Sequence, residues 1–330
     1  MKALLSREPG GPETLQVENV PDPTAGPGEL LVRVRACSIN YPDVLIIEDK
    51  YQLKPQRPFA PGSEISGEVE AVGEGIAGWR PGDRLIAATG FGGLVEKVVI
   101  PVARAIPLPA ERSFEEGSAL LLTYATAIHA LVDRGRLQAG QTLLVLGASG
   151  GVGIAAVEIG KALGATVIAA VSSDAKAQAA RDAGADEAVV YPPDETDPRA
   201  MSELFKNAVG PNGADVILDP VGGAYSEAAL RRIAWEGRFL VVGFPAGIAK
   251  LPLNLTLLKS CDVCGVFWGA FAARDPQANR AHIDRLFRLW KDGKITPRVT
   301  EVFPFERGGD AIAKMAGRGA IGKLVVKVAD

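Results

Sequence analysis

The chain has 330 residues, enough for two domains at about 100 to 200 residues each, and its 47 % hydrophobic and 23 % charged composition supplies a sizeable core and excludes wholesale disorder. Thirty-six Lys and Arg stand against 39 Asp and Glu, a net charge of -3, so no positive excess serves a nucleic-acid backbone or an anionic membrane. Three cysteines exclude a disulfide framework and fit a reducing compartment, and two histidines leave little material for a zinc site.

The N-terminal Met1-Lys2-Ala3-Leu4-Leu5-Ser6-Arg7 carries too short an apolar stretch for a signal peptide, which points to a cytoplasmic protein. Up to about residue 120, short Val, Ile and Leu runs are punctuated by Pro21-Asp22-Pro23, Gly26-Pro27-Gly28, Pro61-Gly62 and Pro81-Gly82-Asp83, the rhythm of a strand-and-turn domain. Residues 29–36 alternate apolar and charged side chains, as a half-buried strand must. Helical spacing begins after Ser113. The longest apolar region, 119–132, is interrupted by Thr123, Tyr124, Thr126 and His129 and is too short to span a membrane. From Thr142 onward, strands at 142–146, 166–171, 187–190, 214–218 and 238–242 alternate with helices at 152–163, from Asp174, at 198–209 and at 226–234. That alternation predicts parallel βαβ units in a doubly wound nucleotide-binding domain. The charge-rich stretch 194–199 reads as a solvated loop. A polar-faced helix at 281–290 and a final strand at 323–328 close the chain and return to the first domain.

Between the first strand of the βαβ region and its helix lies Gly147-Ala148-Ser149-Gly150-Gly151-Val152-Gly153, which in dinucleotide-fold register reads Ala148-x-Gly150-x-x-Gly153. Gly150 removes the Cβ that would block a pyrophosphate, Gly153 lets the helix pack on the strand, and the N–H groups of Ser149, Gly150, Gly151 and Val152 lie where phosphates bind a helix start. The second strand ends in Val171-Ser172-Ser173 with no acid at its tip, where an NAD enzyme carries one for the ribose. With Lys176 in the next helical turn, this favours NADP(H). Asp174 is placed to cap that helix. Lys176 also reads as an ordinary surface lysine.

In order along the chain, Asn40-Tyr41-Pro42-Asp43, Tyr51, Pro61-Gly62-Ser63-Glu64, Gly82-Asp83-Arg84, the Ala148–Gly153 loop, Asp219-Pro220-Val221-Gly222-Gly223, Gly265-Val266-Phe267-Trp268-Gly269 and Gly322-Lys323 resemble the zinc-free quinone oxidoreductases of the medium-chain dehydrogenase/reductase superfamily. The resemblance spans nearly the whole chain. It implies an α/β protein: a GroES-like β-rich catalytic domain over 1–122, a doubly wound Rossmann NADP-binding domain over 123–268, and a return to the catalytic domain over 269–330. The active site is expected in the cleft between the domains, and members are commonly homodimers. Zinc relatives have cysteine where this chain has Asn40 and histidine where it has Ser63, so no metal is expected there.

By the same matching, Tyr51 is the expected proton donor and Asn40 lies near the nicotinamide. Thr126 is also expected against the nicotinamide, Tyr191 with Ser172, Ser173 and Lys176 near the adenosine phosphate, and Phe244, Phe267 and Lys323 along the cofactor cleft. Each has a competing reading: Tyr51 as a loop tyrosine packed on Pro55 or Pro58, Asn40 as a turn residue, Phe244 and Phe267 as core aromatics, His129 as a packed core histidine and Asp219 as a turn cap. Cys261 and Cys264 read as structural thiols. The activity implied is hydride transfer to a small molecule, a quinone or another α,β-unsaturated carbonyl, with no nucleic-acid or membrane partner. A 2-enoyl-thioester reductase and a non-catalytic NADPH-binding protein are the alternatives.

Overall fold

A computed structural model describes residues 1–192 and 197–329; residues 194–196 of the expected solvated loop at 194–199 lie outside the described residues, and Pro198 and Arg199 begin a helix. The chain divides into two compact units, Met1–Leu122 with Pro297–Asp330, and Thr123–Thr296. Among the described residues no helix is long and apolar enough to cross a membrane.

The first unit is built on a seven-stranded sheet, in the order Val299–Pro304, Lys323–Lys327, Glu29–Ile39, Glu64–Val72, Arg84–Ala88 and Ile106–Pro107, with Lys97–Pro101 paired to the other end of Glu29–Ile39. The expected alternation holds in the middle of the central strand, where Val32, Val34 and Ala36 are buried and Arg33 is exposed. From Ala36 to Ile39 every residue is buried, because the short helix Phe114–Ser118 also packs against this sheet. Leu30, Val32, Ile39, Ile65, Leu85, Leu324 and Val326 form its apolar core.

Register places the polar end of this sheet. Leu324 pairs with Ile39 and Ser38 with Glu64, so three neighbouring strands bring Lys323, Asn40 and Glu64 to one end of the sheet. There the helix Tyr41–Ile47 begins, with Pro42 in its first turn, where no N–H is needed.

The second unit carries a six-stranded parallel sheet in the order Glu187–Val190, Thr166–Val171, Thr142–Leu146, Ala214–Asp219, Ile233–Val241 and Asp262–Gly265. In sequence order this is 3-2-1-4-5-6, the doubly wound arrangement, and Leu144, Leu146, Ile168, Ala170, Ile217 and Phe239 fill the core beneath its helices. The unit extends beyond the return expected at 269. Buried Glu158 explains this: its Oε2 accepts the Tyr124 hydroxyl at 2.7 Å and the Thr296 N–H at 2.9 Å, fastening residue 296 and the helix Pro276–Lys291 before it to this unit.

Two further elements differ from expectation. The fifth strand begins at Ile233 rather than 238, and the helix before it ends at Leu230, because the chain turns through Glu236 at a φ of 58° and still keeps strand pairing at Ile233. The second helix of the region is capped by Ser173, whose Oγ accepts the Lys176 N–H, while Asp174 is its first residue.

Gly153 shows how closely the first helix meets its strand: a Cβ there would lie 2.2 Å from the Gly147 carbonyl oxygen and 2.7 Å from Ala148 Cα, both backbone atoms. Gly153→Ala should therefore lower stability by about 2 kcal/mol or more. Urea denaturation checks this; an unchanged midpoint would mean that the helix can stand off from the sheet.

Candidate active site

The polar end of the first sheet holds a buried network. Lys323 is 2 % exposed, and its Nζ donates to Asn40 Oδ1 at 2.5 Å and stands 3.6 Å from Glu64 Oε2. The Asn40 amide nitrogen faces Ser63 Oγ at 3.3 Å and Ser38 Oγ and Glu64 Oε2 at 3.4 Å, so its oxygen is committed to the ammonium. Asp43 reaches back from the helix: its carboxylate accepts N–H groups of Asn40 at 2.8 Å and Gly62 at 3.0 Å and the Ser63 hydroxyl at 3.2 Å.

Burial dominates the electrostatics. It pushes Asp43 up to about 6, although the Asn40 and Gly62 N–H groups and Lys323 oppose it. It likewise raises Glu64, against the pull of Lys323 and the Leu122 and Leu121 backbone N–H groups, and lowers Lys323, against Glu64, Asp43 and Cys37. Cys37, fully buried beside these groups, is pushed far above the ordinary thiol range and is an inert packing group.

Asn40 and Ser63 occupy the positions at which the zinc relatives were expected to carry ligands. Here they face amide, hydroxyl and carboxylate partners with an ammonium already among them. A second cation beside Lys323 would meet like charge and no imidazole or thiolate ligand from these two residues, so the set does not fit zinc. Tyr51 is partly buried against the same core; burial raises its pKa, and the charge of Asp43 adds to the effect, so the phenol keeps its proton at neutral pH.

The phosphate-binding features lie in the second unit, at the carboxyl ends of the first and fourth strands, where the strand order reverses. The helix Gly151–Ala162 starts from Gly150, which has no side chain to cap it, so its first N–H groups are left for a ligand. A Cβ on Gly150 would find only the Gly147 carbonyl oxygen at 3.5 Å, so here glycine leaves open space and serves no packing need. Gly147, which sequence reasoning passed over, has a φ of 55° and lies so close to Val221 that a Cβ would clash. It joins the loop after the first strand to the loop after the fourth. The loop and helix start fit a dinucleotide pyrophosphate.

At the tip of the second strand Lys176 Nζ donates to Ser172 Oγ at 3.0 Å, so the structure brings these two together. Ser173 is used as a helix cap. Tyr191 adjoins the tip, its N–H donating to the Val171 carbonyl at 2.9 Å, but its ring is buried against Tyr225 and Phe205. Phe244 and Phe267 are exposed and are not core aromatics, and Thr126 is half-buried. Asp219 is a turn cap: it accepts the Val221 and Gly222 N–H groups at 2.9 and 2.8 Å and the Ser226 hydroxyl.

Family models for an alcohol dehydrogenase GroES-like domain and a zinc-binding dehydrogenase match residues 26–110 and 151–285. Quinone oxidoreductase-like protein 2 of Bos taurus is 35 % identical over 316 residues, covering 95 % of this chain and 89 % of that protein. A mycobacterial protein solved with NADPH has a TM-score of 0.92 at 28 % identity over 99 % of this chain and 100 % of that one. Escherichia coli quinone oxidoreductase, also solved with NADPH, gives 0.90 at 27 % over the same shares. A GroES-like unit joined to a Rossmann unit is the architecture of the medium-chain dehydrogenases and reductases. Within that superfamily the chain belongs to the quinone oxidoreductase family.

Because burial raises Asp43 from its ordinary 3.8 to about 6, the folded chain holds that proton more tightly than the unfolded chain. The group's contribution to stability is full below about pH 4 and falls by up to about 3 kcal/mol as pH rises through 6. The stability of the wild type minus that of Asp43→Asn should decline over this window in urea denaturation; a difference that grows with pH would contradict the assignment.

Proposed function

We propose that this protein is a metal-independent, NADPH-dependent reductase of quinones and other α,β-unsaturated carbonyl compounds. The observation that carries the reading is the Lys323 ammonium held on Asn40 beside Glu64, with Asn40 and Ser63 standing where zinc relatives are expected to carry ligands. In this reading the loop from Ser149 to Val152 holds the pyrophosphate through backbone N–H groups, and Ser172 and Lys176 hold the 2'-phosphate. Tyr191 and Ser173 frame that pocket, while Thr126, Phe244 and Phe267 line the cofactor side of the cleft.

When bound, the nicotinamide supplies a hydride. The chain's own task is to orient the electrophile and stabilise the negative charge that develops on its oxygen. Asn40, its oxygen held by Lys323, is the residue assigned to the nicotinamide in this reading. Tyr51 donates a hydrogen bond, and then its proton, from the phenol to the substrate oxygen. Free cysteines at 37, 261 and 264 accord with a cytoplasmic setting.

We also propose a homodimer. Strand Asp262–Gly265 lies at the edge of its sheet, and Trp235, Ile248, Leu253, Leu257, Leu258 and Val263 in the same stretch of chain are exposed, an apolar surface that a second copy would cover.

The deciding experiment follows NADPH oxidation with a panel of 1,4-quinones, enones and enoyl thioesters, before and after dialysis against a chelator. Quinone or enone turnover unchanged by the chelator is expected. Turnover that disappears with the metal, a higher kcat/KM for enoyl thioesters, or no turnover at all would each replace this reading.

Tyr51→Phe should lower kcat on an enone by about 10²-fold while leaving NADPH affinity unchanged. Stopped-flow rates and nucleotide titration measure the two; full enone turnover would remove Tyr51 from the mechanism. Lys176→Ala should weaken NADPH by roughly tenfold to a hundredfold and spare NADH, the scale of one charge-assisted hydrogen bond. Equal loss for both nucleotides in calorimetry would move the phosphate pocket elsewhere.

A further inference from the structure

The chain has two histidines, and both address the same carboxylate oxygen. His129 Nδ1 lies 2.6 Å and His282 Nε2 2.8 Å from Asp133 Oδ2, all within the second unit. The geometry has a local cause. The helix Leu121–Ile128 widens into a π-helical turn, His129–Arg134, and side chains four apart on a helix share a face, so His129 and Asp133 stand side by side. His282 arrives from the helix Pro276–Lys291, whose start is fixed by Asp275 capping the Ala278 N–H. Phe271 stacks on the His129 ring at 4.1 Å and 14°, and its centroid is 5.9 Å from that of His282. Both imidazoles are thus held in place and mostly buried, at 7 % and 13 % side-chain exposure, while Asp133 keeps 33 % open to solvent.

We propose that His129, Asp133 and His282 bind one divalent cation of the borderline class, such as Zn²⁺, Co²⁺ or Ni²⁺. Two imidazole nitrogens and a carboxylate oxygen are the donor set these ions take. The three ligand atoms lie within 4.8 Å of one another, and the open side of Asp133 admits water to the remaining position. A tetrahedral ion with ligands at about 2.0–2.1 Å needs them roughly 3.3 Å apart. The two nitrogen–oxygen separations, 2.6 and 2.8 Å, therefore open by roughly half an ångström or slightly more to admit the ion.

The proton balance is simple. Without metal each ring presents an N–H to Asp133. With metal each neutral ring carries its proton on the other nitrogen and gives its lone pair to the ion, and any imidazolium releases a proton to solvent. Arg134, next to Asp133, is turned away and donates to the Gly265 carbonyl at 3.1 Å. The site is separate from the Lys323 network and involves none of its residues.

The test uses untagged full-length protein stripped with a chelator. Titration with Co²⁺ should saturate at one equivalent per chain with a visible ligand-field band, and Zn²⁺ should displace it. His282→Asn should weaken binding by at least about a hundredfold, since even the outer-shell partners of metal ligands are worth up to about that factor. With two histidines in the chain, the imidazole C–H signals in proton NMR give a readout on the wild type alone: both should move together on adding Zn²⁺ and stop moving at one equivalent. Equal affinity in His282→Asn, or imidazole signals that do not both respond to Zn²⁺, would overturn the proposal and leave the trio as a hydrogen-bonded clasp between two helices.

Discussion

One buried ammonium organises the first unit. Lys323 stands 283 positions from Asn40 in sequence, yet its Nζ is 2.5 Å from the Asn40 oxygen because the last strand of the chain lies beside the central one. Taking a lysine out of water costs several kcal/mol, and the same holds for Glu64 and Asp43. Partners within the network offset part of that cost: the ammonium stands 3.6 Å from Glu64, the Ser38 and Ser63 hydroxyls donate to Glu64 and Asp43, and the Asn40 and Gly62 N–H groups donate to Asp43. Burial outweighs the backbone N–H groups and the ammonium at Asp43, which is why that carboxyl is pushed up to about 6.

The second unit solves a different problem, binding a polyanion without burying a cation for it. Its parallel sheet reverses strand order between Thr142–Leu146 and Ala214–Asp219, leaving a crevice at their carboxyl ends. Glycines there divide the work. Gly147 makes the turn at positive φ and Gly153 permits close packing, whereas a Cβ on Gly150 would meet only an ordinary contact with the Gly147 oxygen, so packing does not demand glycine there. Asp219 serves the crevice indirectly, since its carboxylate spends its lone pairs on the turn that carries Val221 up to Gly147.

Much of this was legible in the sequence because period and punctuation are local. The βαβ rhythm and the glycine loop are set within a few residues of chain, and each reading has a matching element in the structure. The misses share a cause, which is that they depend on register between distant segments. The contact of Lys323 with Asn40 and Glu64 follows only from the pairing of Leu324 with Ile39, which no local run of sequence shows. Asp43 and Glu64 stand in the Asn40-Tyr41-Pro42-Asp43 and Pro61-Gly62-Ser63-Glu64 runs, but nothing in those runs says that Asp43 accepts the Gly62 N–H and the Ser63 hydroxyl. The return of the chain at 297 rather than 269 depends on Glu158 holding Thr296. His129 is the packed histidine its apolar helix suggests, but its neighbours Asp133 and His282 depend on a contact across 149 positions that no local pattern shows.

The central claim is that Lys323 and Glu64 are a mutually dependent buried pair on which the site's geometry rests. A double-mutant cycle with Lys323→Met and Glu64→Gln, read by urea denaturation at pH 7, tests it most directly. The account predicts that each single change costs about 3–5 kcal/mol, because it strands the partner's charge, and that the double variant loses much less than the sum. Small single effects that simply add would contradict it.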